Sequence, residues 1–308
     1  MIRYLFALLT AAAAACSCLA DIVVTDDSGR QVNLKQPAKR VVALAPHLAE
    51  QAWSAEIGTA LVAAVDYADY PKAVQKLPRV GNSSVINIES IVSLNPDLIL
   101  AWAGANKDIE MQRLKDLGLT VYTSDAHNFD DISNNVRKLS LFSKKPQIGQ
   151  LRADDFDKKI AALRQRYQHQ AKVRILYQVW HDPLQSLNNT TLIHQVIELC
   201  GGTNIAAQAK AVAPTLSFES VLSADPEIII TGSKDNDDKL DMWLRFTSLS
   251  AVKNQQLKTI DPDLLHRHTF RIAEGATLMC ELIDNYRQQR DSTPEPLILG
   301  QNPDKEDR

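Results

Sequence analysis

The chain carries none of the short signatures from which an enzyme is read directly. It has no Gly-x-Ser-x-Gly elbow, no glycine-rich phosphate loop, no Gly-x-Gly-x-x-Gly and no His-Glu-x-x-His. What remains is a dispersed active site or a binding protein. Metal spacings such as Cys-x-x-Cys or His-x-x-x-His are missing too. Lys+Arg number 34 against 37 Asp+Glu, a net charge of −3. With no basic stripe to neutralise phosphates, nucleic acid is excluded as the main partner. Beyond the first 20 residues no stretch is long and apolar enough to cross a bilayer. Cysteine is scarce, with four in 308 residues.

The N-terminus explains where two of those cysteines go. Arg3 gives a positive start, residues 5–15 an apolar core, and Cys18-Leu19-Ala20 a small-x-Ala cleavage site. Residues 1–20 therefore read as a secretory signal peptide, with Asp21 the first mature residue. The rival processing makes Cys16 a lipid-modified N-terminus, but Ala13-Ala14-Ala15-Cys16 lacks the leucine and glycine usual there. Export leaves Cys200 and Cys280. In an oxidising compartment these pair by default, which stabilises the fold by roughly 4 kcal/mol on the chain-entropy model; two separate buried thiols are the alternative.

Hydrophobic content of 45% and 23% charged residues suit a globular chain. Its length allows one large core or two of about 120 residues each. Strands alternate with helices in both halves, predicting an α/β fold: two lobes, each a mostly parallel sheet flanked by helices. Residues 146–171 form a long amphipathic stretch, with Ile148, Leu151, Phe156, Ile160, Leu163 and Tyr167 spaced as one helical face. At 1.5 Å per residue this is a rod of roughly 36 Å. The expected organisation is a signal peptide (1–20), an N-terminal lobe (21–145), a single linking helix (146–172), a C-terminal lobe (173–287) and a disordered tail (288–308).

A repeat supports the two-lobe reading. Residues 87–102 (NIESIVSLNPDLILAW) align without a gap on residues 217–232 (SFESVLSADPEIIITG) at an offset of 130. Glu89 matches Glu219, Pro96 matches Pro226 and Asp97 matches Glu227. Each copy reads as a short helix, a proline break and a buried strand. Asn87 and Ser217 are the expected N-caps. Glu89 and Glu219 sit two residues in, where the helix dipole favours an acid by about 0.3–1 kcal/mol. Either that suffices, or twin acids dock on a two-fold symmetric partner. The helix after Pro46-His47 is expected to end at Gly58.

In α/β sheets ligands bind beyond the carboxyl ends of the strands. Those ends carry His47, Tyr67, Ser83, Trp102, Trp180, Asp263 and Arg267. Trp102 and the tyrosines offer flat apolar surface, and Asp263 and Arg267 orienting charge; plain core packing is the alternative for each aromatic. His47, His181, His266 and His268 also gather at strand ends, a set from which a Zn or Mn site could be built.

Several segments resemble the periplasmic vitamin B12-binding proteins of ABC importers. They are residues 39–50 (KRVVALAPHLAE), 66–71 (DYADYP), 88–102, 195–204 (QVIELCGGTN) and 264–267 (LLHR). The resemblance runs from about residue 40 to 282. It implies a non-catalytic, monomeric receptor without a cofactor or a metal of its own, whose lobes close little around cobalamin or a related corrinoid. Partners would be an inner-membrane permease dimer and its ATPases. Glu89 and Glu219 would salt-bridge permease arginines, Cys200 and Cys280 would be the family's disulfide, and Tyr67, Trp102, Asp263 and Arg267 would contact the corrinoid. Ser83 and Ala213 are small where some relatives carry tryptophan, and His268 and Phe270 replace a proline-containing stretch. Haem, a siderophore or Zn/Mn is the alternative cargo for such a receptor.

Overall fold

The computed structural model describes residues 21–234 and 238–292. The expected signal peptide lies outside them, as do residues 293–308 of the expected tail.

The N-terminal half opens with a hairpin, β1 (Ile22–Thr25) and β2 (Gln31–Leu34), turning at Ser28-Gly29. Then follow β3 (Val41–Ala43), α1 (Pro46–Ser54), β4 (Leu61–Ala64), α2 (Ile88–Ser93), β5 (Leu98–Trp102), α3 (Asp108–Asp116), β6 (Val121–Ser124) and α4 (Phe129–Ser140). The helix α5 (Pro146–Tyr167) leads to β7 (Val173–Gln178). After it come the small antiparallel pair β8 (Trp180–His181) and β9 (Leu184–Gln185), α6 (Leu192–Leu199), β10 (Gly202–Asn204), α7 (Phe218–Ala224), β11 (Ile228–Gly232), α8 (Ser250–Lys253), β12 (Leu257–Ile260) and α9 (Ile272–Ser292).

Two four-stranded parallel sheets result, ordered β4-β3-β5-β6 and β10-β7-β11-β12. In each, the second strand in chain order lies outside the first and the third lies on its other side. The halves therefore share one topology, and the repeated segments fall on equivalent elements, α2-β5 and α7-β11. The matched acids do equivalent work. Asp97 accepts the backbone N–H groups of Lys39 and Arg40 at the start of β3, and Glu227 accepts that of Arg174 in β7. Each acid thus ties the entrance of one central strand to its neighbour.

Some expected boundaries move. α1 stops at Ser54 rather than at Gly58, and the chain turns through Glu56 at φ 63°. Arg152 of α5 explains the early stop: it donates to the carbonyls of Trp53 and Ser54 and pairs with Glu56, satisfying helix-end acceptors that a glycine cap otherwise serves. α5 ends at Tyr167, short of residue 171, and is a rod of roughly 33 Å. Its buried face is Gly149, Ala153, Phe156, Ile160 and Tyr167, while Leu151 is 68% exposed. At Gly149 a methyl group would collide with Ser140, so this glycine lets α5 lie close on α4. β10 went unpredicted because Gly202-Thr-Asn204 is too short and polar for a strand pattern. The stretch around Met242 and Leu249 forms a 3₁₀ turn (Asp238–Trp243) and the short α8. α9 continues to Ser292, so residues 288–292 are helical rather than tail.

α5 belongs to both halves. Phe156, Ile160 and Tyr167 share one core with Phe129 and Ile132 of α4 and with Val196 of α6 and Ile272 of α9. Phe270 stacks on Phe156 with ring centres 4.8 Å apart and packs against the N-terminal core as well. Cys200 and Cys280 are disulfide-bonded, fastening α6 to α9 across 80 residues of sequence. The lobes therefore adjoin through continuous apolar packing, an arrangement suited to small relative motion.

Candidate ligand-binding cleft

In a doubly wound sheet the crevice opens beyond the carboxyl ends of the strands, where strand order reverses. In the N-terminal lobe that point lies between β3 and β5. There His47, at the start of α1, meets Trp102, the last residue of β5, edge to face with ring centres 4.9 Å apart. Asn106 holds this corner: its Oδ1 accepts the Trp102 N–H, and its amide donates to the carbonyls of Leu44 and Ser83. Ser83 thus enters through its backbone.

The C-terminal lobe answers across the gap. The segment after β12 brings His268 to 5.8 Å from His47 and 6.4 Å from Trp102, measured between ring centres. A buried relay fixes it. The Tyr122 hydroxyl donates to Asn135 Oδ1, the Asn135 amide donates to Gln51 Oε1, and the Gln51 amide donates to the His268 carbonyl. Gln51 and Asn135 are essentially inaccessible to solvent, which makes this chain costly to break.

Beside it lies an ion cluster spanning the lobes. Arg267 donates to Glu50 at 2.8 Å and Asp69 at 2.6 Å, pairs with Asp263 at 3.0 Å, and reaches the Tyr67 carbonyl at 3.4 Å. Arg271 grips both oxygens of Glu50 and lies 4.2 Å over the Tyr70 ring. Lys234 pairs with Asp263. Three cations thus face three carboxylates. Burial works against the Asp69 carboxylate, but the hydrogen bond and charge of Arg267 outweigh it and hold its pKa below the usual range. Arg267, disfavoured by burial, is raised by Asp69 and Glu50. The two charges expected to orient a ligand are thus first of all a strut between the lobes.

The histidines respond to the same surroundings. Burial, then the neighbouring His268 and Arg267, push the His47 pKa down to about 3. Burial, then His127, lower that of His268. Both rings are neutral at ordinary pH.

Tyr67 and Trp180 are exposed, 82% and 53%. Tyr67 sits at φ 62°, a backbone region costly for a bulky residue by about 1–3 kcal/mol. The Trp180 indole donates to the Asp182 carbonyl and lies beside His181. His266 bonds the Tyr177 hydroxyl at 2.7 Å. The four histidines therefore do not converge, and among the described residues no group of three or more His, Cys, Asp or Glu is placed to hold a metal ion. Glu50, Gln51, Asn135 and Arg271 were not singled out in the sequence. The carboxylate and amide of Glu50-Gln51, set between Leu48-Ala49 and Ala52-Trp53, were the signal that could have found them.

A hollow of about 180 Å³ beside His268, lined by Val179, Leu192, Leu265 and His266 among others, is small beside a corrin ring. A larger cavity of about 1090 Å³ lies along α5 between α1, α9 and Tyr70-Pro71. None of the seven ligand-binding residues expected from sequence lines it. Of its charged lining residues, Glu50, Arg152, Asp155, Lys159 and Arg271 are already engaged in ion pairs. The strand-end side is therefore the better site. Glu89 and Glu219 are exposed at the N-termini of α2 and α7, with Asn87 and Ser217 capping as expected. The Glu219 pKa is lowered by its own backbone N–H and by Ser217.

Two parallel α/β lobes of one topology, bridged by one helix and opening toward each other at their strand ends, define a helix-linked substrate-binding protein. The chain belongs to the periplasmic binding protein family, whose model matches residues 41–264. It is 37% identical to a vitamin B12-binding protein of Vibrio cholerae over 82% of this chain and 92% of that one. A relative of the same name from Yersinia pestis is 33% identical over 85% and 90%. Among solved structures, the periplasmic vitamin B12 binding protein BtuF of V. cholerae superposes with TM-score 0.76 at 36% identity, covering 82% of this chain and 99% of that one. A periplasmic heme-binding protein from Roseiflexus, RhuT, shares the fold at TM-score 0.71 and 22% identity, covering 81% and 99%.

Proposed function

We propose that this protein is a periplasmic receptor that captures cobalamin or a related corrinoid between its lobes and delivers it to an ABC permease and its ATPases. The observation that carries the reading is the strand-end cleft itself: Trp102 and His47 on one lobe face His268 on the other at the point where strand order reverses. Kinship to proteins named for vitamin B12 binding supplies the ligand class. Affinity comes from laying a broad, mostly apolar ligand on Trp102 and Tyr67, with Ser83, Trp180, Asp263 and Arg267 at its periphery. Because the ion strut and α5 hold the lobes in place beforehand, little ordering is left to oppose binding. The protein acts as a monomer and without catalysis, and Glu89 and Glu219 dock on permease arginines.

Haem is the second reading, favoured by the imidazoles at the cleft. Titration of the mature protein with cyanocobalamin, haemin and zinc separates them. Saturable binding of cyanocobalamin at or below micromolar concentration is expected. Binding of haemin or zinc with none of cyanocobalamin reverses the assignment.

A further inference from the structure

We infer that the N-terminal lobe carries a socket for one arginine side chain of the permease. The side chain enters the hollow between α2 and α3, and its guanidinium lies between Glu89 and Glu110. The N-terminal end of the docking face then holds more tightly than the C-terminal end. This rests on the delivery to a permease proposed above and names what the partner brings to it.

Three observations lead there. The first is shape. A hollow of about 310 Å³ adjoins Glu89 and is lined also by Ile86, Ile88, Ile109, Glu110 and Arg113. Ile109, in the first turn of α3, is 78% exposed, so apolar surface is left uncovered here. Isoleucine walls with carboxylates among them suit a side chain that has an aliphatic stem and a charged head. The second is an unmet polar atom. Oε2 of Glu110 is shut off from solvent and accepts no hydrogen bond. A carboxylate oxygen in that state costs free energy that an arriving cation relieves once the side chain turns toward it. Arg113 lines the hollow as well but pairs with neither acid. A planar guanidinium has donors enough to serve Glu89 and Glu110 together, which an ammonium does less well.

The third is the contrast with the other lobe. There the segment after the repeated strand is packed against α7 rather than left hollow. The Phe218 ring, next to Glu219, lies against Trp243 and Phe246, with ring centres 5.5 and 5.4 Å away. The exposed Arg245 stands 4.8 Å over both phenylalanine rings. Glu219 therefore has filled aromatic packing and a cation for neighbours, where Glu89 has a hollow and a second carboxylate. A two-fold permease offers the same side chains to both ends. The end with two acids and room for the stem gains more from them.

The test measures the Kd of the mature protein, loaded with cyanocobalamin, on the permease–ATPase complex of its source organism in lipid nanodiscs. Glu110→Gln keeps the side chain's size and removes its charge. It should weaken docking by about tenfold or more, with cyanocobalamin affinity unchanged and the melting temperature not lowered. Ile109→Ser should weaken docking less than that, and Arg245→Ala should not weaken it. Glu89→Ala should cost more than Glu219→Ala. Docking that is unchanged in Glu110→Gln overturns the inference and leaves delivery to the permease intact. Docking lost in Ile109→Ser but kept in Glu110→Gln puts an apolar side chain in the hollow and overturns the arginine. Equal losses from Glu89→Ala and Glu219→Ala overturn the difference between the ends. If the unaltered protein does not dock at all, delivery itself falls, a failure separate from the others.

Discussion

The two lobes share a strand order and a strand-entrance clamp, yet their environments have diverged. In the N-terminal lobe Asp97 is partly exposed and meets backbone N–H groups only. In the C-terminal lobe Glu227 is 7% exposed and also engages Arg174, Arg290 and Tyr286, so α9 is tied to the same clamp. The C-terminal lobe alone carries a disulfide among the described residues, and the N-terminal lobe holds the buried Tyr122–Asn135–Gln51 relay. A duplicated topology has thus been stabilised by different chemistry on each side of one rod.

The largest test of that asymmetry is the disulfide. Replacing Cys200 and Cys280 by alanine should cost about 2–4 kcal/mol in urea unfolding. Hydrogen exchange should rise first in α6 and α9, with β3 and β5 still protected. Uniform loss of protection instead would mean that the lobes unfold as one unit. Of comparable size is Glu50→Ala. It leaves Arg271, 19% exposed, without its carboxylate and takes one of three from Arg267, 13% exposed, and removal of one partner from a buried pair costs about 3 kcal/mol or more. Small-angle scattering should show the lobes loosened; unchanged dimensions and stability would deny the strut its role.

The clamps give the sharpest comparison. Glu227→Ala removes a buried carboxylate that serves Arg174, Arg290 and Tyr286 at once and should cost about 2–3 kcal/mol, against about 1 kcal/mol for Asp97→Ala. Equal effects would show that the extra partners of Glu227 contribute nothing.

His47 supplies a pH test on the N-terminal side. Its pKa in the folded protein lies near 3, against 6.5 in the unfolded chain. Between those values the unfolded state binds a proton that the folded state does not. Stability is therefore fully present above about pH 6.5 and falls on acidification, by at most about 1.4 kcal/mol per pH unit from this one group. His47→Phe should flatten that limb in urea titrations at pH 7, 6 and 5. An unaltered slope would mean that the ring is more solvated than its packing implies.

Much of this architecture was legible in the chain. Apolar runs such as Leu98-Ile-Leu100 and Ile228-Ile-Ile230, each preceded by Asn-Pro-Asp or Asp-Pro-Glu, carry both periodicity and break, so strand and helix fell where expected. Strand-end residues such as His47 and Trp102 followed from the rule that places ligands there. The polar interior did not follow. Gln51, Asn135 and Glu50 are ordinary helix residues in sequence, and only the packing of α1 against α4 and the segment after β12 makes them partners. Nor did the end of α1, because its cap is an arginine about a hundred residues away.

The smallest effect on the isolated protein is expected from the twin acids. Glu89 and Glu219 are exposed, and each sits where a helix dipole is worth a few tenths of a kcal/mol. Replacing both by alanine should therefore shift stability by no more than about 1 kcal/mol and leave ligand affinity as it was, since neither approaches Trp102 or His268. Uptake of cobalamin by cells depending on this receptor should nonetheless stop, because one acid per lobe is what a two-fold permease would grip. Charge reversal to lysine should be worse than alanine, and a single replacement should leave partial transport. If the double alanine variant transports normally, these acids serve the helix dipole alone. The two lobes would then be alike in fold without being alike in partnership.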